Sequence, residues 1–351
     1  MAGSSFGECL KITTFGESHG EAVGVIVDGV TPGVELHERD IQIQMDRRKP
    51  GQSAVTSPRN EYDIVHIVSG IYEGKTTGTP LTVILYNKDM RPEAYDDIRE
   101  SFRPGHADYT YLNKYGLRDH RGSGRASGRE TAGRVAAGAI ARKLLERRGV
   151  QVVAYTKEIG GIACRTFDES EIERNPVRAC DPEAAAKMVD KVVQLASVGD
   201  SCGGIVECVV RGVAPGIGEP VFDKLDAELA KAMLSIGAVK GIEFGAGFAA
   251  AAMQGSEHND AMSADGFLTN HAGGIAGGIS TGQPIVFRIA VKPTSSISVP
   301  QHTVRVDGEE RIIETRGRHD PCICPRIVPV VEAMACLVVE DMYKRQAALR
   351  N

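Results

Sequence analysis

The chain has 351 residues, a formal net charge of −5 and a composition 42% hydrophobic and 25% charged, which is the profile of one large globular domain or two smaller ones. The acidic balance gives no sign of a nucleic-acid partner, and no apolar run reaches the ~18 residues of a membrane span. The N-terminus lacks the basic start and apolar core of a secretion signal, and the eight cysteines lie scattered through ordinary sequence, so a reducing cytoplasm is the expected setting.

Taken in chain order, residues 23–30 (VGVIVDGV) form a β-branched run that ends in the turn Thr31-Pro32-Gly33, a strand signal. Residues 36–48 place apolar side chains at Leu36, Ile41, Ile43 and Met45, an amphipathic helix that stops before Lys49-Pro50-Gly51. Residues 82–86 (TVILY) read as a buried strand. The strongest helix covers 127–148: Ser127 and Glu130 have capping-box spacing, and Gly149 follows the end. Its middle, VAAGAIA at 135–141, is small and apolar all round, which predicts tight packing against another helix. Helices are also expected over 183–198, 222–234 and 327–345, and a strand over 285–291.

A repeat organises these elements. Gly16-Glu17-Ser18-His19-Gly20 aligns with Gly199-Asp200-Ser201-Cys202-Gly203, and Gly29 to Gly33 with Gly212 to Gly216. An amphipathic helix follows in each copy. Thr77-Gly78-Thr79-Pro80-Leu81 then matches Thr281-Gly282-Gln283-Pro284-Ile285, each opening a strand. The ordered series predicts an α+β fold of two pseudo-symmetric strand–helix units, with helices in the centre and sheets outside. The whole chain, 1–351, is expected to be one domain with repeats over roughly 7–150 and 190–345. His19 and Cys202 fall at equivalent positions, both expected in a glycine-bounded turn between strands, although any polar residue can fill such a turn.

Four further stretches carry candidate chemistry. In Phe102-Arg103-Pro104-Gly105-His106-Ala107-Asp108 a Pro-Gly turn presents His106, with Asp108 near enough to orient an imidazole; a plain surface histidine is the alternative. Arg121 to Arg129 combines glycines, arginines and a helix start, which suits a phosphate-bearing ligand. It lacks the Gly-Lys-Ser/Thr ending of a P-loop, and a flexible basic loop is the competing reading. His271 to Gly282 is glycine-rich and leads into the donor-rich Lys292-Pro293-Thr294-Ser295-Ser296; it suits a flat ring or a phosphate, or else tight packing at a sheet edge. Arg318-His319-Asp320-Pro321-Cys322-Ile323-Cys324 pairs a histidine with an aspartate. Two thiols with no second pair to complete four ligands argue against zinc, so no metal is expected.

The stretches GESHG, RPGHADYTY, RGSGRASGRETAGRVAAGAIA, GIEFGAGF, NHAGGIAGGISTG, KPTSS and GRHDPC, in this order, resemble the signature set of the chorismate synthases, over nearly the whole chain. The resemblance implies a β-α-β sandwich and a carbon–oxygen lyase of the shikimate pathway. It would remove phosphate from 5-enolpyruvylshikimate 3-phosphate by 1,4-anti elimination, with reduced FMN (FMNH2) as cofactor, in a homotetramer. NADPH enters only if the chain reduces its own flavin.

Carried over by position, the resemblance assigns His106 to the leaving phosphate, His19 to proton donation to the reduced flavin, and Asp320 to the flavin N5. It places the cofactor against Arg125, Ala126, Ser127, Gly237, Ala238, Gly277, Lys292, Pro293, Thr294, Ser295, Ser296 and Arg318. The substrate carries a phosphate and two carboxylates, so arginines must gather; Arg48, Arg129 and Arg318 are the candidates. One departure is Ala54, where many relatives carry a basic residue. Two rival classes use the same loops: another phosphate-handling enzyme without flavin, and a non-enzymatic assembly protein.

Overall fold

The computed structural model describes residues 3–53, 55–57, 59, 61–90, 92–315 and 319–349. Its main elements are β1 (Lys11–Phe15), β2 (Ala22–Asp28), α1 (Glu38–Arg48), β3 (His66–Ser69), β4 (Leu81–Tyr86), α2 (Asp108–Tyr115), α3 (Thr131–Glu146), β5 (Gln151–Ile159), α4 (Pro182–Ser197), β6 (Gly204–Arg211), α5 (Leu225–Leu234), β7 (Val239–Phe244), β8 (Ile285–Val291) and α6 (Cys324–Leu349).

Two antiparallel sheets carry the repeat. The first runs β1-β2-β4-β3, with Ser5–Phe6 added beyond β1; the second runs β5-β6-β8-β7, with Ile162–Ala163 beyond β5. The two orders are the same, and in each set a helix stands between the second and third strands and another follows the fourth. The second set starts at β5, earlier than residue 190, because α4 is inserted between β5 and β6. Cys202 therefore follows a helix, whereas His19 sits between β1 and β2.

Alternation turns one face of each sheet inward. Val23, Val25 and Val27 of β2 meet Leu81, Val83 and Leu85 of β4 on the buried side. Val206, Cys208 and Val210 of β6 do the same with Ile285, Phe287 and Ile289 of β8. Helix α3 packs on β2 and on α6, and α6 packs on β5 and β6. The small residues predicted to admit another helix do so: a Cβ on Gly138 would overlap Ala333 of α6. From Ile327 to Met342 every residue of α6 is buried, as expected of a central helix covered on all sides. Two of its acids are hydrogen-bonded, while among the described residues Glu340 is met only by ion pairs to Arg148 (3.5 Å) and Lys344 (3.7 Å), and burial raises its pKa. Glu332 accepts from the backbone N–H of Ala154 (2.9 Å) and from Arg142 (2.7 Å) and Arg47 (2.5 Å), and Asp341 accepts from the N–H groups of Cys9 and Leu10 (both 2.7 Å).

Three expected helix starts move by three residues or more; α6 begins early, at Cys324 rather than 327. Ser127 caps a short 3₁₀ turn, accepting from the Arg129 N–H at 3.2 Å, and α3 begins only at Thr131. The Glu130 carboxylate does not return to close a capping box; it accepts from the Thr14 hydroxyl and from Arg134, both at 2.8 Å. Charged and hydroxyl donors hold it more strongly than a single N–H. The helix expected from residue 222 begins at Leu225, and Phe222 lies exposed ahead of it. Among the described residues no helix is long and apolar enough to cross a membrane.

Candidate functional site

A cavity of about 500 Å³ opens where loops from both repeats converge. The end of α1 and the loop after it supply Arg48, Ser57, Arg59 and Glu61. The segment between β4 and α2 supplies Tyr95, Arg103 and His106. The turns before α3 supply Gly122 and Arg125 to Glu130. The start of β7 brings Gly237 and Ala238, the loop after β8 brings Lys292 and Thr294 to Ser296, and the start of α6 brings His319, Asp320 and Arg326. Among the described lining residues, six arginines and one lysine face three carboxylates. The site is built for an anion.

Several of these cations lack acceptors. Arg48 is 2% exposed, its Nε and Nη1 make no hydrogen bond, and its nearest carboxylate, Asp63, stands 3.8 Å away. Burial pulls the Arg48 pKa down to about 9, against the attraction of Asp63 and with the help of Arg326 and Arg129. Arg129 donates to Asn87 (2.8 Å) and to Asp63 but leaves Nη2 unpartnered. Arg59 Nε and the Thr294 hydroxyl are also buried without a partner. Buried donors left unpaired cost on the order of 1–3 kcal/mol each, a cost that an anionic ligand removes.

The three histidines are held neutral. His19 lies in the β1–β2 turn, 5% exposed, behind the wall made by Gly122 and Tyr95, with its ring edge-on to Tyr95. Its pKa falls to about 4, first through burial and then through Arg59. His106 falls to about 4 through burial and Arg103, and His319 to about 4 through burial and Arg103. Asp320 accepts from the Ser57 N–H (2.7 Å) and from Arg326 (2.5 Å).

The structure brings together most of the residues singled out from sequence. Arg48, His106, Arg125, Ala126, Ser127, Arg129, Gly237, Ala238, Lys292, Thr294, Ser295, Ser296 and Asp320 all line the cavity. Arg125 does so with its guanidinium already bonded to Thr14 and to the Gly16 carbonyl. Ala238 holds a left-handed backbone, φ 74°, a strain that costs about 1 kcal/mol or more outside glycine. Lys292 bonds Ser295, and Ser295 bonds the Gly105 carbonyl (2.8 Å), which ties the two loops together.

Two expected cofactor contacts lie off this wall. Pro293 does not line it, and Gly277 is the exposed turn of a short hairpin, Ile275–Ala276 with Ile279–Ser280. Arg318 and Ala54 lie outside the described residues. Arg59, Arg103 and Arg326 line the cavity although none was a candidate, and His319, noted from sequence only as half of a His-Asp pair, lines it too. Arg103 and His319 stood inside the quoted motifs, beside residues that were chosen; Arg59 and Arg326 carried no comparable signal. Among the described residues no three metal-ligating side chains are grouped to hold an ion.

The family model described as chorismate synthase matches residues 10–343. The chain belongs to the chorismate synthase family. A chorismate synthase from Syntrophobacter fumaroxidans is 56% identical over 351 residues, covering 100% of both chains. One from Methanosarcina mazei is 57% identical over 350 residues, covering 97% of this chain and 96% of that protein. A solved structure titled as a crystal structure of chorismate synthase superposes with a TM-score of 0.78 at 28% identity, covering 97% of this chain and 93% of the other. The family is one of lyases.

Proposed function

We propose that the chain converts 5-enolpyruvylshikimate 3-phosphate to chorismate and inorganic phosphate by 1,4-anti elimination in the 500 Å³ cavity, with reduced FMN bound beside the substrate. The carrying observation is the set of buried arginine donors without acceptors, at Arg48, Arg59 and Arg129. A phosphate and two carboxylates supply the missing partners.

The residues fit a flavin. Gly237 leaves open space where a side chain would stand, and Ala126, Ser127 and Thr294 to Ser296 offer small or hydroxyl groups, with the Thr294 hydroxyl unpartnered. When bound, the reduced flavin supplies electron density to the allylic C–O bond as it breaks. Arg48 and Arg129 hold the substrate's charges and exclude alternative poses. His106 serves the phosphate, and His19 serves the flavin side of the site. Asp320, oriented by the Ser57 N–H and Arg326, accepts the proton that elimination releases.

The inserted helices and paired sheet orders support reading 1–351 as one β-α-β sandwich built from two copies. Large exposed apolar side chains, Phe222, Phe248 and Tyr72, support the homotetramer. Flavin reduction by an outside reductant belongs to the proposal, since no Gly-x-Gly-x-x-Gly fingerprint follows a strand. The deciding experiment is anaerobic: the protein, dithionite-reduced FMN and substrate are mixed, and phosphate and chorismate are measured. Folded, flavin-binding protein that releases neither would overturn the reading.

A further inference from the structure

The two histidines assigned to chemistry differ in what their ring nitrogens touch. His19 Nδ1 lies 3.1 Å from the Ser18 hydroxyl oxygen. That hydroxyl has one proton, and its other contact is the carbonyl oxygen of Gly122 at 3.2 Å, which can only accept. The Ser18 proton is therefore directed to Gly122, and the Ser18 oxygen receives a proton from His19 Nδ1. The Arg121 carbonyl also faces the ring and favours a ring N–H; with Nδ1 protonated, the neutral ring carries no proton on Nε2.

His106 shows the reverse. The Ala107 backbone N–H donates to His106 Nδ1 at 2.8 Å, and Arg103 Nη2 stands 3.4 Å from the same nitrogen. Both groups are donors only, so Nδ1 is unprotonated and the neutral ring carries its hydrogen on Nε2. Asp108, the partner expected from sequence, is 3.7 Å from Nδ1, beyond hydrogen-bond range. Its carboxylate is taken by Arg103 in a bidentate pair (2.8 and 2.9 Å) and by the Arg103 N–H (3.0 Å). Arg103 is in turn fixed by Ser123.

We infer that Ser18 and Arg103 are positioning residues that lock the two histidines in opposite tautomers, leaving His19 an acceptor at Nε2 and His106 a donor at Nε2. Its chemical meaning rests on the function proposed above. An uncharged Nε2–H on a cavity wall grips a phosphate oxygen without adding a cation to a site already crowded with arginines. His19 must take up a proton at Nε2 before it can give one. The low histidine pKa values described above agree: a second proton on His106 would have to sit at Nδ1, facing two donors.

Solid-state ¹⁵N NMR of the full chain with labelled histidine, unliganded at pH 7.5, reads the tautomers directly. Loss of one signal in His19→Gln and of another in His106→Gln assigns them. A protonated Nδ1 is expected in His19 and a protonated Nε2 in His106; the same tautomer in both, or doubly protonated rings, would overturn the inference. Ser18→Ala should shift His19 to the Nε2–H form, and Ser18→Thr should restore Nδ1–H. Arg103→Lys should free Asp108 and move the His106 proton toward Nδ1. Folded Ser18→Ala and Arg103→Lys proteins with unchanged tautomers would remove the positioning roles. The spectra need neither flavin nor substrate. An inactive enzyme with the expected tautomers counts against the proposed function alone, and an active enzyme with other tautomers counts against this inference alone.

Discussion

Gly122 lies directly under His19: a Cβ built on it would fall well inside van der Waals contact with the imidazole Cε1 and Nδ1 and 2.8 Å from the Ser18 hydroxyl. Gly122 also holds φ +63°, a conformation that other residues rarely adopt. The motif before α3 and the motif after β1 are thus one unit, and the bare glycine is what lets the histidine bury its ring.

Gly122→Ala should therefore act on both stability and turnover. The left-handed backbone and the overlap together should cost about 1–3 kcal/mol, read as a lower denaturant midpoint with unchanged slope. Turnover should fall more than ten-fold because His19 and Ser18 are displaced. A variant with wild-type stability and turnover would show that the ring does not rest on this glycine.

Arg48 predicts a separation of stability from function. It is buried, its Nε and Nη1 have no acceptor, and Asp63 is only a distant partner. Arg48→Met removes a buried cation that makes no hydrogen bond through Nε or Nη1 and only a 3.8 Å ion pair with Asp63, a carboxylate that Arg129 still neutralises, so the free protein should be no less stable to denaturant than wild type. Each lost charge-assisted bond to substrate should cost ~1.5–3 kcal/mol, or roughly 10- to 150-fold in kcat/KM. A destabilised variant with normal kcat/KM would reverse the assignment.

The histidines predict the pH dependence. His19, His106 and His319 fall to about 4 in the folded chain, against 6.5 unfolded. Between those values the unfolded state binds more protons, so the stability they confer is full above pH 6.5 and is lost as pH falls toward 4. Denaturant unfolding at pH 7, 6 and 5 should show falling stability, with a shallower fall in His319→Asn. An anion in the cavity opposes the arginines that help lower His106 and His319. Inorganic phosphate binding near pH 6 should therefore take up protons, seen by calorimetry in two buffers of different ionisation enthalpy. Proton release on binding would contradict this.

The sequence made the inner strands legible where β-branched and apolar residues dominate between turn signals: residues 285–291 match β8 residue for residue, with Arg288 the single charged position. It hid β5, where Tyr155 and Lys157 interrupt the pattern, and left β6, with Glu207 in its middle, to be inferred from the repeat alone. Across the second sheet Tyr155, Glu207, Arg288 and Glu243 lie side by side in register, bonded to one another. That ladder is visible only once the strands are paired. The site loops were legible as motifs, but Arg59 and Arg326 reach the cavity from a long loop and a helix start. Gly277 sits off the cavity wall; a hairpin turn with φ +62° and a ligand-facing surface call for the same residue.

The two copies of the glycine-bounded turn now separate by chemistry. His19 is buried against Gly122 and Ser18 beside the anion cavity. Cys202 is buried beside Cys322, donates its backbone N–H to the Pro321 carbonyl at 3.0 Å, and has its thiol pKa pushed far up, first by its bond to Cys322 and then by burial. Such a thiol neither gives nor takes a proton near neutral pH, whereas the neutral His19 imidazole has a ring nitrogen free to take one from a reaction partner. His19→Ala should keep the fold and lower turnover by roughly 10²- to 10⁴-fold, the scale of one lost proton-transfer group. Cys202→Ala should leave turnover within two-fold, as expected of a side chain outside the chemistry, and cost on the order of 1 kcal/mol of stability. Turnover measured anaerobically with pre-reduced flavin, alongside denaturant unfolding, decides the matter. An inactive, folded Cys202→Ala beside a fully active His19→Ala would mean that the chemistry lies in the other copy of the turn.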